Sequence, residues 1–161
     1  KEKWQSGWIH AEAANDKTEE ILILAGKLAV QDSDAFDLVM DSFRMPKSSD
    51  DEKALRREKI RQATLHAAEV PYRTACLSLD LLKLLNNLAT YGNANAASDV
   101  GVAGLLASAA CKGALFNVDI NLNSLPDEYG QSMRDSCPKI LQECSVSARE
   151  IMQSVKKRIA E

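Results

Sequence analysis

Two histidines, His10 and His66, lie far apart in the chain, and the four cysteines (Cys76, Cys111, Cys137, Cys144) show no CxxC spacing. A zinc site is therefore not expected. The cysteines read instead as reduced, structural residues of a cytosolic protein. There is no Gly-rich phosphate loop and no Ser-His-Asp or Cys-His arrangement for nucleophilic catalysis. No basic excess is available for phosphates, because the formal net charge is -3, and this excludes a dedicated nucleic-acid binder. No uninterrupted apolar run approaches the roughly 20 residues that a membrane-spanning helix needs, so no membrane role is expected. No signal-peptide pattern opens the chain. Aromatic residues make up 5% of the sequence, with Gly 7 and Pro 4. Ala, Leu, Glu, Lys and Asp dominate in their place, which favours helix.

No stretch sustains the period-two alternation of a half-buried strand, and apolar residues recur at helical spacing throughout. The 161 residues suit one domain, 1–161, with a real core. A first helix is expected from Lys1 to about Phe43, either broken or continuous at Thr18-Glu19-Glu20. Pro46 then ends it, and Ser48, Ser49 and Asp50 offer caps for a second helix starting near Asp51. That helix is either kinked or ended at Pro71, and its periodicity resumes to Thr90. "YGNANAASD" reads as a loop, with Gly92 as a C-cap and Ser98 as an N-cap. A helix rich in small residues is expected from Asp99 to about Asn121, and a last one from about Pro126 to Ile159, which Pro138 could kink or divide. The expectation is an all-α, up-and-down bundle of four to five long helices.

Asp32 is the residue that the pattern does not explain. In "LAGKLAVQDSDAFDLVMDSF", residues 24 to 43, it has Leu28 and Phe36 four positions away and Ala29 and Ala35 three away, its neighbours on a helix surface. A carboxylate on a buried face costs several kcal/mol unless paired or protonated. Two readings stand. It is either half of an ion pair with a Lys or Arg from another helix, or a general acid/base whose pKa is raised by burial. Asp34, Asp37 and Asp41 fall on a solvated face with Lys27 and Arg44.

The segment "GNANAASDVGVAGLLASAACKGALFNVDINL", residues 92 to 122, carries Gly101, Gly104, Ala107, Ser108, Ala110 and Ala114. Such a surface admits another backbone closely, from the bundle or from a partner subunit. Asn117 and Asn121, four apart, either clamp a neighbouring segment or read a polar ligand. Ser98 and Asp99 read as caps. The alternative is a helix N-terminus that faces a ligand, with the Asn93 and Asn95 side chains beside it. Lys1, Lys3, Trp4 and Trp8 combine cations with flat aromatic surface, either as a solvated helix end or as a dock for an anionic ring compound.

Residues 92 to 122 resemble the signature of the cyclodeaminase domain of the formiminotransferase-cyclodeaminase family. There a G-N-x-N-x-x-S-D-x-x-V-A loop-to-helix segment runs on to G-A-x-x-N-V-x-I-N. "QDSDAF" followed by "RMPK" is similar to that family's D-x-D/E-A-F/Y and L-P-K elements, at the same separation. The resemblance covers nearly the whole chain. It implies an all-helical, dimeric enzyme of one-carbon folates, associated in some members with a formiminotransferase. Such enzymes either close 5-formimino-tetrahydrofolate to 5,10-methenyl-tetrahydrofolate with loss of ammonia, or hydrolyse the methenyl compound to 10-formyl-tetrahydrofolate. The resemblance places the catalytic aspartate at Asp32 and implies no metal or redox cofactor. Lys1 and Lys3, similar to a basic-aromatic stretch of the family, become candidates for the folate's anionic tail. Asn93, Asn95, Ser98, Asp99, Asn117 and Asn121 become candidates for the rest of the substrate. The family's opening helix, with its P-G-G-G-S-type segment, does not occur in these 161 residues, either because the sequence starts downstream of it or because this is a shortened member. The rival expectation is thus a non-catalytic helical dimer that binds folate or another protein.

Overall fold

A computed structural model describes residue 5 and residues 7 to 160. Lys1, Lys3 and Trp4 lie outside them. The described residues form four long helices, α1 (Trp8–Arg44), α2 (Asp50–Tyr91), α3 (Ala97–Asn123) and α4 (Gln131–Ile159), with a short 3₁₀ turn at Ala94–Ala96. No strand occurs among them.

Successive helices run antiparallel. His10 near the start of α1 stacks on Tyr91 at the end of α2, with ring centroids 5.0 Å apart. Near the other end of that pair, Arg56 donates to the Phe43 carbonyl. Between α3 and α4, a side chain at Gly101 would meet Val155 and one at Gly104 would meet Ile151. α4 runs alongside α2 in the same direction, tied by Lys83–Glu143 at 2.9 Å and by Asn86 donating to Glu150 at 2.7 Å.

The expected up-and-down order is therefore present, but the bundle is open. α2, α3 and α4 pack on one another around a shared core that includes Leu82, Cys111, Val118, Cys144 and Ile151. α1 lies against α2 and touches no other helix among the described residues.

Local chemistry explains most boundaries. Ser49 accepts from the Glu52 N–H while Glu52 accepts from the Ser49 N–H, a reciprocal cap that starts α2. The first helix has no break at Thr18-Glu19-Glu20. α2 passes through Pro71 uninterrupted. Proline has no N–H for the carbonyl four residues back, here that of Ala67. Asn121 supplies the missing donor, its Nδ2 lying 2.9 Å from the Ala67 oxygen. α4 likewise runs through Pro138 undivided. It starts later than the sequence suggests, at Gln131, because residues 126 to 130 turn the chain. Gly130 there takes a left-handed φ of 69°. Arg134 then donates to the carbonyls of Leu122, Leu125 and Tyr129, which ties the start of α4 to the end of α3 and to the turn between them. The cap assigned to Ser98 is not made. α3 begins two residues earlier than expected, at Ala97, and Ala96 stands at its N-cap position with no side-chain bond.

All four cysteines are free thiols, and three are buried. α3 is more apolar than the search for unbroken runs suggested. An 18-residue stretch within Ala94–Asn123 reaches a mean hydropathy of 1.4, and by length and composition the helix is enough to cross a membrane. In this fold its small-residue side, including Gly101, Gly104, Ala107 and Ser108, is buried in the bundle. Its other side exposes Val102, Leu105, Leu106, Phe116 and Ile120.

Candidate functional site: a groove between α1 and α3

The open bundle leaves a groove of about 570 Å³ whose floor is α2 and whose walls are α1 and α3. Its lining is largely apolar or small: Ile21, Ala25, Leu28 and Ala29 from α1, Pro71, Leu77 and Leu81 from α2, and Leu106, Ala110 and Gly113 from α3, among others. Four lining residues carry polar side chains: Asp32, Thr74, Ser78 and Asn117.

Among the described residues, Asp32 is the one charged residue lining this groove. It forms no hydrogen bond or ion pair with any described residue, so the structural ion-pair reading finds no partner here. The expectation that Asp32 is buried is corrected. It is exposed, and the reason is the way α1 packs. The buried residues of α1 are Ala14, Ile21, Leu28, Ala35 and Ser42, one line repeating every seven positions, as in a two-helix seam. Asp32 sits one step to the side of that line, facing the groove. Of its apolar neighbours, Leu28 and Ala35 are buried, while Phe36 and Ala29 are exposed. The other acids of the stretch are exposed as expected, and Asp41 pairs with Arg44 at 2.9 Å on the surface.

Thr74 and Ser78, four apart on α2, were missed from sequence. The signal was there: two hydroxyls one turn apart in an otherwise apolar repeat, just past Pro71. Each donates its hydrogen to its own helix, Thr74 to the Val70 carbonyl at 3.2 Å and Ser78 to the Thr74 carbonyl at 2.8 Å. What they offer a ligand is therefore lone pairs. Arg73 was also missed. Its guanidinium donates to Gln31 at 3.0 Å, which ties α1 to α2 outside the groove lining.

The remaining candidates divide. Asn117 lines the groove with Asp32. Asn121 does not line it. Its amide is committed to the Ala67 and Asn117 carbonyls, which makes it the clamp of α3 on α2. Asn93, Asn95, Ser98 and Asp99 are exposed at the opposite end of α3. Asp99 and Asn117 are about 27 Å apart along the helix at about 1.5 Å per residue. Asn93 instead caps the 3₁₀ turn by accepting from the Asn95 N–H at 3.1 Å. One chain thus unites Asp32 and Asn117 but not these four. Lys1 and Lys3 lie outside the described residues.

The thiols are not candidates for the chemistry. Burial and the neighbouring Cys144 push Cys111 up to about 12, and burial pushes Cys137 up to about 11, so both stay protonated at neutral pH. No group of three or more His, Cys, Asp or Glu able to hold a metal ion occurs among the described residues.

The family model for formiminotransferase-cyclodeaminase matches residues 1–139. The chain belongs to that family. Among its relatives, a methenyltetrahydrofolate cyclohydrolase of Methylorubrum extorquens is 34% identical over 137 residues, covering 84% of this chain and 65% of that protein. A formimidoyltransferase-cyclodeaminase of Gallus gallus is 32% identical over 130 residues, covering 80% of this chain and 24% of that protein. The chain thus spans just under two thirds of the first relative and about a quarter of the second. A solved formiminotetrahydrofolate cyclodeaminase of Thermotoga maritima superposes with a TM-score of 0.68 at 26% identity, covering 98% of this chain and 83% of that one. Asp32, Asn117 and the clamp residue Asn121 all fall within the family match.

Proposed function

We propose that this chain acts on a one-carbon tetrahydrofolate, as cyclodeaminase on 5-formimino-tetrahydrofolate or as cyclohydrolase on 5,10-methenyl-tetrahydrofolate, with Asp32 as the general acid/base. The observation that carries the reading is the unpartnered Asp32 carboxylate in an apolar groove large enough for a small ring system. The activities named for the relatives support it.

In the cyclodeaminase reaction N10 attacks the formimino carbon. Asp32 takes the N10 proton and returns it to the amine, and the C–N bond to that amine breaks to release ammonia. In the cyclohydrolase reaction Asp32 draws a proton from a water that adds to the methenyl carbon. The bond from that carbon to N5 then breaks as N5 takes that proton from Asp32. The added hydroxyl gives its own proton to solvent to become the formyl oxygen, and 10-formyl-tetrahydrofolate leaves with one proton released. Both are proton transfers at a single carboxyl group. With the full-length protein, the two substrates offered separately distinguish these cases. Loss or gain of methenyl absorbance with or without ammonia release identifies the reaction. No change in either substrate overturns the proposal.

The site is completed by a second copy of the chain. The outer side of α3 exposes Val102, Leu105, Leu106, Phe116 and Ile120, each more than half exposed, a stripe too apolar to face water along a whole helix. A two-fold pairing of that stripe would cover it and close one wall of the groove. The small-residue stripe no longer supports a dimer, because it is spent inside the bundle. A dimer at micromolar concentration is expected by sedimentation, with Leu105→Asp plus Phe116→Asp giving folded monomer. A monomeric parent protein would refute the pairing. Association with a formiminotransferase, in the same chain or another, belongs to the same proposal, as does a cytoplasmic location. Lys1 and Lys3 remain proposed contacts to the substrate's tail, and Asn93, Asn95, Ser98 and Asp99 remain proposed contacts to the rest of the substrate.

A further inference from the structure

The polar inventory of the groove is one-sided. It holds the Asp32 carboxylate, two hydroxyls whose hydrogens are already given to Val70 and Thr74, and one amide at Asn117. Among the described residues, neither Lys, Arg nor His lines it. A carboxylate and spare lone pairs beside apolar walls favour a ligand that brings positive charge and N–H donors, and repel one that brings an anion. We propose that the groove selects the one-carbon unit in its cationic, amidinium form and holds the folate's anionic tail outside.

The inference rests on the folate reading and adds a rule of selection to it. A formimino group on N5 is an amidine, protonated in neutral water, with its charge spread over the N–C–N unit. A 5,10-methenyl bridge is the same N–C–N cation closed into a ring. A formyl group has the same shape as the formimino group but is neutral, with an oxygen acceptor where the amidinium has N–H donors. That oxygen would face Asp32 and the lone pairs of Thr74 and Ser78 without a hydrogen to share. The groove would therefore hold either substrate more tightly than a neutral formyl product, which favours release after hydrolysis. Its acceptors match the charge that the reactants carry at the reacting carbon.

The test uses 5-formimino- and 5-formyl-6-methyltetrahydropterin, which lack N10 and so cannot cyclise, and which lack the tail. Their binding to the full-length protein is measured by calorimetry beside that of whole 5-formyl-tetrahydrofolate. The formimino pterin is expected to bind about tenfold more tightly than the formyl pterin, equivalent to about 1.4 kcal/mol. The ratio is expected to fall to about one in Asp32→Asn, with the formyl affinity kept. Equal affinities in the parent protein, or a preference that survives Asp32→Asn, would overturn the inference and leave the folate reading intact. Binding of the whole folate without either pterin would place the affinity in the tail and overturn the inference alone. If none of the three binds, both the inference and the folate reading fail.

Discussion

Asp32→Asn is expected to lower kcat by about 10²–10⁴-fold on whichever folate the protein turns over, the range for removing a positioned acid/base group. Asparagine keeps the shape of the side chain and removes its ability to carry a proton. The expected change in stability is small, within about 0.5 kcal/mol, because Asp32 is exposed and bonds to no described residue. Circular dichroism and thermal unfolding therefore serve as controls that a structural role would fail. Asp37→Asn, five positions along the same helix and exposed outside the groove lining, should leave the rate unchanged. An Asp32→Asn protein that binds folate and turns over at the parent rate would remove Asp32 from the chemistry. The result also bears on the open groove. If the parent rate depends on protein concentration across the micromolar range while Asp32→Asn is inactive throughout, the carboxylate works only when a second copy closes over it.

The helices were legible because their periodicity and caps are local. Ser49 and Glu52 lie three positions apart, and their mutual cap can be read directly. The outcome at Pro71 was not legible. Whether a proline ends a helix depends on who satisfies the freed carbonyl, and here the donor is Asn121 on another helix. The same fact explains why the two asparagines of α3 had to be left with two readings. Asn121 turned out to complete a backbone, and Asn117 to face the groove. Asp32 was legible as an anomaly but not as an exposed residue. A stripe with a period near 3.6 implies a broad buried face, whereas α1 has one neighbour and buries one narrow line of residues. How many helices touch a given helix is a property of the whole fold, and no window of sequence contains it. The small-residue stripe shows the same limit from the other side. Its capacity for close approach is visible in Gly101 and Gly104, but what approaches is decided by Val155 and Ile151 on α4.

Ile151→Ala should be among the most damaging single changes in the core, at about 2–5 kcal/mol, because Ile151 is fully buried. Its partner makes the effect testable in a way a simple cavity is not. A β-carbon placed on Gly104 would lie 2.9 Å from the Ile151 Cγ2, closer than two carbons can sit. The next contacts, at 3.5 Å and 3.7 Å, are ordinary. Cγ2 branches from Cβ and cannot swing away without moving the side chain out of its rotamer. Gly104→Ala alone should therefore destabilise, although alanine is favoured over glycine in a helix interior by about 0.5–1 kcal/mol. Removing Cγ2 reverses the sign. In an Ile151→Ala background the new methyl meets only ordinary contacts, fills part of the space left behind, and brings its helix preference with it. The double variant should then be more stable than Ile151→Ala, with a coupling of about 1–3 kcal/mol measured by urea unfolding of all four proteins. Ile151→Val keeps Cγ2, so Gly104→Ala should remain destabilising there. Additive effects across the cycle would mean that α3 and α4 do not meet at Gly104, and the close packing that turns the other side of α3 outward would have to be abandoned.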